Sequence, residues 1–228
     1  MLFKTALLLL ASLMPIPQSQ RASQAIQNNQ PLLQAAFHQR QLTWGSPVHL
    51  RLYKDSAELE LWVQNGPQFT LFKTYPICTF SGALGPKLRE GDWQSPEGFY
   101  FVKPGQLNPR SRFHLSFNLG FPNAYDRHHG RTGSALMVHG DCVSIGCYAM
   151  TDPQIEEIYT LMVVAFEHGQ PFVRVHAFPF RMDEANMQAH AGHRWIDYWR
   201  NLKVGHDFFI EHGRPPNVEV MDGRYVFD

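Results

Sequence analysis

Three cysteines among 228 residues are too few for the stapled framework of a small disulfide scaffold. Net charge is also missing, because 20 Lys and Arg are cancelled by 20 Asp and Glu. A chain that grips nucleic acid by its phosphates carries a positive excess, so no nucleic-acid partner is expected. No apolar run reaches the roughly 20 residues needed to span a bilayer comfortably, so no integral span is expected once an export signal is removed. There is no internal repeat, heptad array or low-complexity segment, which sets aside solenoids and coiled coils. The twelve histidines form no tight metal-spaced cluster, so neither a metal nor a cofactor is expected. Charged residues make up only 18% and hydrophobic ones 44%, a balance that excludes wholesale disorder.

What is present suits one compact domain with a sizeable core. Lys4, the apolar run Ala6 to Ala11 with Leu13 and Met14, and the polar stretch from Ser19 read as a secretory signal over residues 1–20. Export to the periplasm follows from that reading. Residues 21–47 read as an N-terminal helical segment, one short helix or two divided at Pro31. From Val48 the hydrophobic period becomes two. Val48, Leu50 and Leu52, then Leu59, Leu61 and Val63, alternate with polar residues, and Asn65-Gly66 is a hairpin turn. Phe69 to Tyr75, Phe99 to Val102, Phe113 to Leu119 and Ala135 to Val138 are further strand candidates. Ser81 to Pro96 and Asn123 to Gly133 read as loops.

Helical spacing follows. Ile155, Ile158, Tyr159, Met162, Val163 and Phe166 share one helix face, capped at Thr151 or Asp152 and stopped at Gly169. Phe172 to Phe178 is another strand candidate. Residues 183–228 read as a C-terminal helical extension, helical from Asp183 to Leu202, with Gly205 and Pro215-Pro216 marking a polar tail. Strands early and helices late predict a mostly β domain with peripheral helices.

Chemistry concentrates in Met137 to Met150, a loop between a strand and a well-capped helix. Cys147 is a candidate nucleophile and His139 its candidate base, since a thiol needs such a neighbour near neutral pH. Gly146 permits close backbone approach, with amide donors near Cys147 facing a developing oxyanion. The residues alone leave other readings open: two structural thiols, a Cys142–Cys147 disulfide, or zinc held by both cysteines and a histidine. Cys78 lies in an apolar stretch and reads as structural; a Cys78–Cys142 bridge would leave Cys147 free. His128 and His129 read as a polar loop pair, His176 as packed, and Trp195, Tyr198 and Trp199 as helix packing.

His139-Gly140 followed by Ser144-Ile145-Gly146-Cys147 resembles the signature of the L,D-transpeptidase family, also called YkuD-like or ErfK-type. The run Cys142 to Met150 is similar to its YafK-like branch. So are Glu58 to Gly66, Phe72 to Gly91, Pro96 to Tyr100, Phe121 to Gly133, Pro179 to Met182 and the Trp195 to Trp199 helix. The resemblance thus covers most of the chain from Val48 onwards, and implies a catalytic domain of that type over residues 48–182. It implies Cys147 as nucleophile, His139 as base, and Gly140, Ser144 and Gly146 as orienting or oxyanion-region positions. The implied partners are diaminopimelate-containing peptide stems of peptidoglycan, attacked through a thioester acyl-enzyme.

Two departures stand out. Ile145 occupies the position where many members have histidine, and Ala149 the position where many have arginine. Arg127, Arg131 and Arg181 are the candidate replacements for that arginine. These differences fit the YafK-like branch, which resembles amidases that hydrolyse the link between peptidoglycan and an anchored outer-membrane lipoprotein. Transpeptidation, making 3–3 cross-links or attaching lipoprotein, is the alternative. A non-catalytic wall-binding module is the reading outside enzymology.

Overall fold

The computed structural model describes residues 15–228. Most of the segment read as an export signal, residues 1–14, lies outside the described residues. Helix α1 (Gln20–Gln39) is capped by Ser19, whose hydroxyl accepts from the Ala22 amide at 3.1 Å. It runs unbroken through Pro31, so the segment is one helix and not two. The helix is anchored on both sides of the proline, by Ala22 and Ala25 before it and Leu33 and Phe37 after it, and these residues join the main core. Tertiary burial therefore overrides the loss of one backbone hydrogen bond.

Strands β1 (Val48–Tyr53), β2 (Glu58–Asn65), β3 (Gln68–Pro76), β5 (Gly98–Val102) and β10 (Val173–Phe178) form one sheet in the order β3-β2-β1-β10-β5. The hairpin β2–β3 turns at Asn65-Gly66 as expected, with Asn65 opposite Gln68. β1 and β10 pair in parallel. A smaller sheet, in the order β4-β9-β8-β7-β6, comprises β4 (Thr79–Phe80), β6 (Leu107–Asn108), β7 (Ser116–Asn118), β8 (Met137–His139) and β9 (Tyr148–Ala149). Leu50, Leu52, Val173 and Val175 from the large sheet meet Phe117, Val138 and Tyr148 from the small one in a common core. Helix α3 (Asp152–Glu167) belongs to that core and is buried continuously from Ile158 to Phe166.

Two expectations are corrected. The stretch read as a polar loop from Asn123 holds a short helix, α2 (Ala124–His128), because Asn123 and Asp126 form a reciprocal capping box. Gly205 does not begin a tail. After α4 (Glu184–Ala189), helix α5 (Ile196–His212) runs straight through it and ends at Gly213, which adopts φ 65°. A β-carbon on Gly205 would lie 2.3 Å from Phe227 and 2.6 Å from Phe99, so the glycine is the gap that lets two aromatic rings seat against the helix. The tail itself forms a hairpin, β11 (Val218–Met221) with β12 (Arg224–Phe227). With α5 it covers the outer face of the large sheet, where Tyr53, Phe99, Phe178, Trp199 and Tyr225 form a second core cluster.

Candidate active site

β8 and β9 are adjacent and parallel, with Val138 beside Tyr148 and His139 beside Ala149. Eight residues, 140–147, connect them. Cys147 lies in the bend that precedes β9, and its Sγ sits 3.3 Å from the amide of Met137, the first residue of the strand that ends at His139.

The connecting loop is held at many points. Asp141 and Cys142 both adopt positive φ, 67° and 49°, a conformation that costs non-glycine residues about 1–3 kcal/mol each. The Asp141 amide donates to Asp152 Oδ1 at 2.8 Å, the Cys142 amide to the Met150 carbonyl at 3.2 Å, and the Met150 amide to the His139 carbonyl at 2.7 Å. A disulfide joins Cys142 to Cys78, with the two Cα atoms 5.4 Å apart. Cys147 keeps a free thiol. Of the cysteine arrangements the residues left open, the structure adopts Cys78–Cys142. Gly140 is required for space, since a β-carbon there would sit 2.5 Å from Asp152 Oδ1.

His139 Nδ1 lies 2.6 Å from the carbonyl oxygen of Gly140. A carbonyl only accepts, so Nδ1 carries the proton and Nε2 is left with a lone pair, the tautomer a general base needs. The Phe113 ring lies over the imidazole, 4.8 Å between centroids. Burial pushes the His139 pKa down, opposed by the Gly140 carbonyl and then Asp141. Burial pushes the Cys147 thiol up, opposed by the Met137 amide and then by the charge of Lys87. The Met137 N–H points at Sγ from 3.3 Å. Both shifts favour the uncharged partners, so the resting pair is a neutral thiol and a neutral imidazole.

The peptide of the nucleophile is clamped by three serines. The Cys147 carbonyl accepts from Ser144 Oγ at 2.7 Å and from Ser95 Oγ at 2.8 Å. Ser81 Oγ lies 2.8 Å from Ser144 Oγ and accepts from the Gly146 amide at 2.9 Å. The Gly146 N–H is therefore occupied, and Ser144 and Gly146 both take part in the hydrogen bonds around the Cys147 peptide. Ser81 and Ser95 escaped the sequence reading because they sit in a Gly- and Pro-rich loop without periodicity. Their nearest signal was their position between stretches that carry the family resemblance. Ser81 and Ser95 also bond each other's backbone, the Ser95 amide donating to the Ser81 carbonyl at 2.9 Å.

Of the three candidate arginines, Arg131 and Arg181 are held in ion pairs. Arg131 is buried, paired with Asp126 at 2.8 Å, and 5.0 Å from the rings of both Tyr125 and Tyr198. Arg181 pairs with Glu58 at 2.6 Å and Glu60 at 2.8 Å, above the Tyr53 ring. Arg127 is exposed and donates to the Pro122 carbonyl. The cation whose charge reaches the thiol is Lys87, itself paired with Asp92 at 2.6 Å. His128 and His129 lie against the C-terminal hairpin, with His129 Nε2 2.8 Å from the Gly223 carbonyl. Trp199 is wholly buried, as the packing reading expected.

A free thiol on an anchored loop, with a neutral imidazole at the end of the preceding strand, makes this the candidate active site. The chain belongs to the L,D-transpeptidase catalytic-domain family, whose model matches residues 52–173. More particularly, it is 51% identical over 187 residues to YafK of Escherichia coli strain K12, a protein named as an L,D-transpeptidase, covering 82% of this chain and 76% of that one. The same figures hold for YafK of Escherichia coli O157:H7. Among solved structures, the helical cell shape determining protein Pgp2 of Campylobacter jejuni aligns with a TM-score of 0.49 at 16% identity, over 79% of this chain and 75% of that one. Its K307A mutant aligns with the same TM-score at 17% identity, over 73% of this chain and 57% of that one. No membrane-spanning helix occurs among the described residues.

Proposed function

We propose that the protein is a cysteine-dependent peptidoglycan enzyme that hydrolyses the amide between a diaminopimelate-containing stem and an anchored lipoprotein, and that it works in the periplasm. The observation that supports the thiol chemistry is the free Cys147 on the loop that follows His139, whose Nδ1 is committed to the Gly140 carbonyl. The preference for hydrolysis rests on similarity to the YafK-like branch, including Ile145 and Ala149 at the two departing positions.

In this reading Cys147 Sγ attacks the carbonyl carbon while His139 Nε2 takes the thiol proton. The carbonyl π electrons move to oxygen and then return as the C–N bond breaks. The leaving amine receives the proton from Nε2, and a thioester remains. Water then attacks that thioester, losing a proton to Nε2, and the thiol departs with it as a carboxylate product forms. Lys87 favours developing thiolate by its charge. Arg127, the exposed one of the three arginines, is the candidate for a substrate carboxylate.

The deciding experiment offers reduced enzyme sacculi with attached lipoprotein, and separately tetrapeptide muropeptides. Mass spectrometry is expected to find lipoprotein released with its terminal lysine intact and no new 3–3 dimers. Efficient dimer formation with the protein–wall link left whole would establish transpeptidation instead. Binding of wall without any turnover would establish the non-catalytic reading.

A further inference from the structure

The outer face of the large sheet carries a block of basic groups. Register places His49 beside Arg174 and Arg51 beside His176 on the parallel pair β1/β10. Arg51 is buried, with Nε and one Nη lacking any partner, and its guanidinium lies 4.5 Å from the Phe209 ring. Its cross-strand neighbour Glu60 gives its oxygens to Arg181 and Trp62. Both imidazoles stay neutral. Burial, then the charge of Arg51, pushes His49 down to about 3, and burial followed by His49 holds His176 well below its ordinary value. The unanswered charge of the block is therefore that of its arginines. A desolvated cation of this kind is stabilised by an anion close by.

At the His49–Arg174 end, helix α5 stops at Gly213 and a cavity of about 410 Å³ opens. Its wall combines four separate chain segments, and none of its lining residues is acidic. Arg174 and Arg214 both line it. Arg174 gives one N–H to Asn217 Oδ1 at 2.8 Å, and its guanidinium lies 5.0 Å from the Phe172 ring. Among the described residues neither arginine is ion-paired. Burial and then the neighbouring charge of Arg214 push Arg174 down, the mark of two like charges sharing one site. His49 Nδ1 faces the Arg174 carbonyl at 3.0 Å, which leaves Nε2 an acceptor without a donor. Phe69, Pro67 and Pro171 supply apolar wall. A guanidinium fork matches carboxylate geometry, and a volume of this size holds a short peptide segment.

We propose that this cavity, at the end of the large sheet where β1 and β10 begin, is a second binding site, taking a carboxylate-bearing segment of a peptidoglycan stem through Arg174 and Arg214. The assignment of the ligand to a wall stem rests on the function proposed above. The site would hold one stem while another meets the thiol.

The test uses the full chain with Cys147→Ala, so that the thiol cannot react. Isothermal titration measures binding of the tripeptide L-alanyl-γ-D-glutamyl-meso-diaminopimelate, of its carboxamide form, and of inorganic sulfate. The tripeptide is expected to bind, with the carboxamide form at least tenfold weaker. Arg174→Gln and Arg214→Gln should each weaken the tripeptide tenfold or more. Asn217→Asp, which sets a carboxylate of the chain itself against Arg174, should do the same. Arg214 is exposed, so its variant reports on the site even where Arg174→Gln fails to fold. Equal binding of the carboxamide form, sulfate as good a ligand as the tripeptide, or indifference to Arg214→Gln and Asn217→Asp would each overturn the site. Turnover of sacculi by the wild-type chain is measured separately. Its absence alongside arginine-dependent tripeptide binding would defeat the proposed reaction and leave the second site standing.

Discussion

The indole of Trp199 donates to Glu97 Oε2 at 2.9 Å across 102 residues of chain. Glu97 also pairs with Lys54 at 3.1 Å and accepts from the Gly85 amide at 2.7 Å, while its carbonyl receives Tyr198 at 2.7 Å. One buried carboxylate thereby joins helix α5 to the loop that carries Lys87 and Ser95. The C-terminal extension is in this way part of what shapes the surroundings of the thiol.

Glu97→Gln is expected to destabilise the fold by about 3–5 kcal/mol, because Lys54 is left buried without its partner. Trp199→Phe removes one hydrogen bond to the charge and should cost about 1–3 kcal/mol. Urea unfolding of both variants checks this. A loss below about 1 kcal/mol for Glu97→Gln would show that the Gly85 carbonyl, 2.8 Å from Lys54 Nζ, holds the ammonium without its counter-charge.

Ser95→Ala and Ser81→Ala should slow acylation of Cys147 by a carbapenem about tenfold or more, since each loosens the peptide that aims the thiol. Threonine at position 95 keeps a hydroxyl and should recover part of the rate. Intact-protein mass spectrometry over time provides the readout. Equal rates for alanine and serine at both positions would remove the clamp from the catalytic account.

The pH dependence of acylation follows from the two shifts. His139 is active when neutral, and burial holds its pKa below the ordinary 6.5. The acid limb should therefore have its midpoint below pH 6.5, with activity retained as pH rises through neutrality. The thiol pKa is raised above its ordinary value of 9.0, so a second increase belongs to strongly alkaline solution. His139→Ala should abolish the acid limb and leave only the alkaline rise. An acid midpoint above pH 7, or an unchanged profile in His139→Ala, contradicts a neutral thiol–imidazole pair.

Gly205→Leu should push the Phe99 and Phe227 rings out of contact with α5, at a cost of about 1–3 kcal/mol from overpacking. Hydrogen exchange is expected to rise first in the β11–β12 hairpin. Unaltered protection there would mean that the helix, and not the hairpin, absorbs the strain.

Much of this architecture was legible because local chemistry and tertiary position agree. The Asn65-Gly66 turn and the alternation of Leu59, Leu61 and Val63 produce the same hairpin whatever lies around them. The helix that follows Thr151 carries its own cap and apolar face. The family itself was legible through the His139-Gly140 and Ser144 to Cys147 motif. What was misread or left open shares one cause. Pro31 and Gly205 are helix breakers by propensity, and each sits in a helix whose burial outweighs that propensity. Ser81 and Ser95 acquire their role only when a loop folds back some 50 to 65 residues in sequence onto the nucleophile. Such a long-range return leaves no trace in spacing.

An odd number of thiols cannot be consumed completely within a single chain. With three cysteines, one is always left over, and the fold determines which. Joining Cys78 to Cys142 turns the nearest competitor of Cys147, five residues away, into an inert sulfur. In an oxidising milieu the bridge therefore acts as chemical insulation. Oxidation of Cys147 onto Cys142 would need a second free sulfhydryl, and with that bridge made the chain offers none.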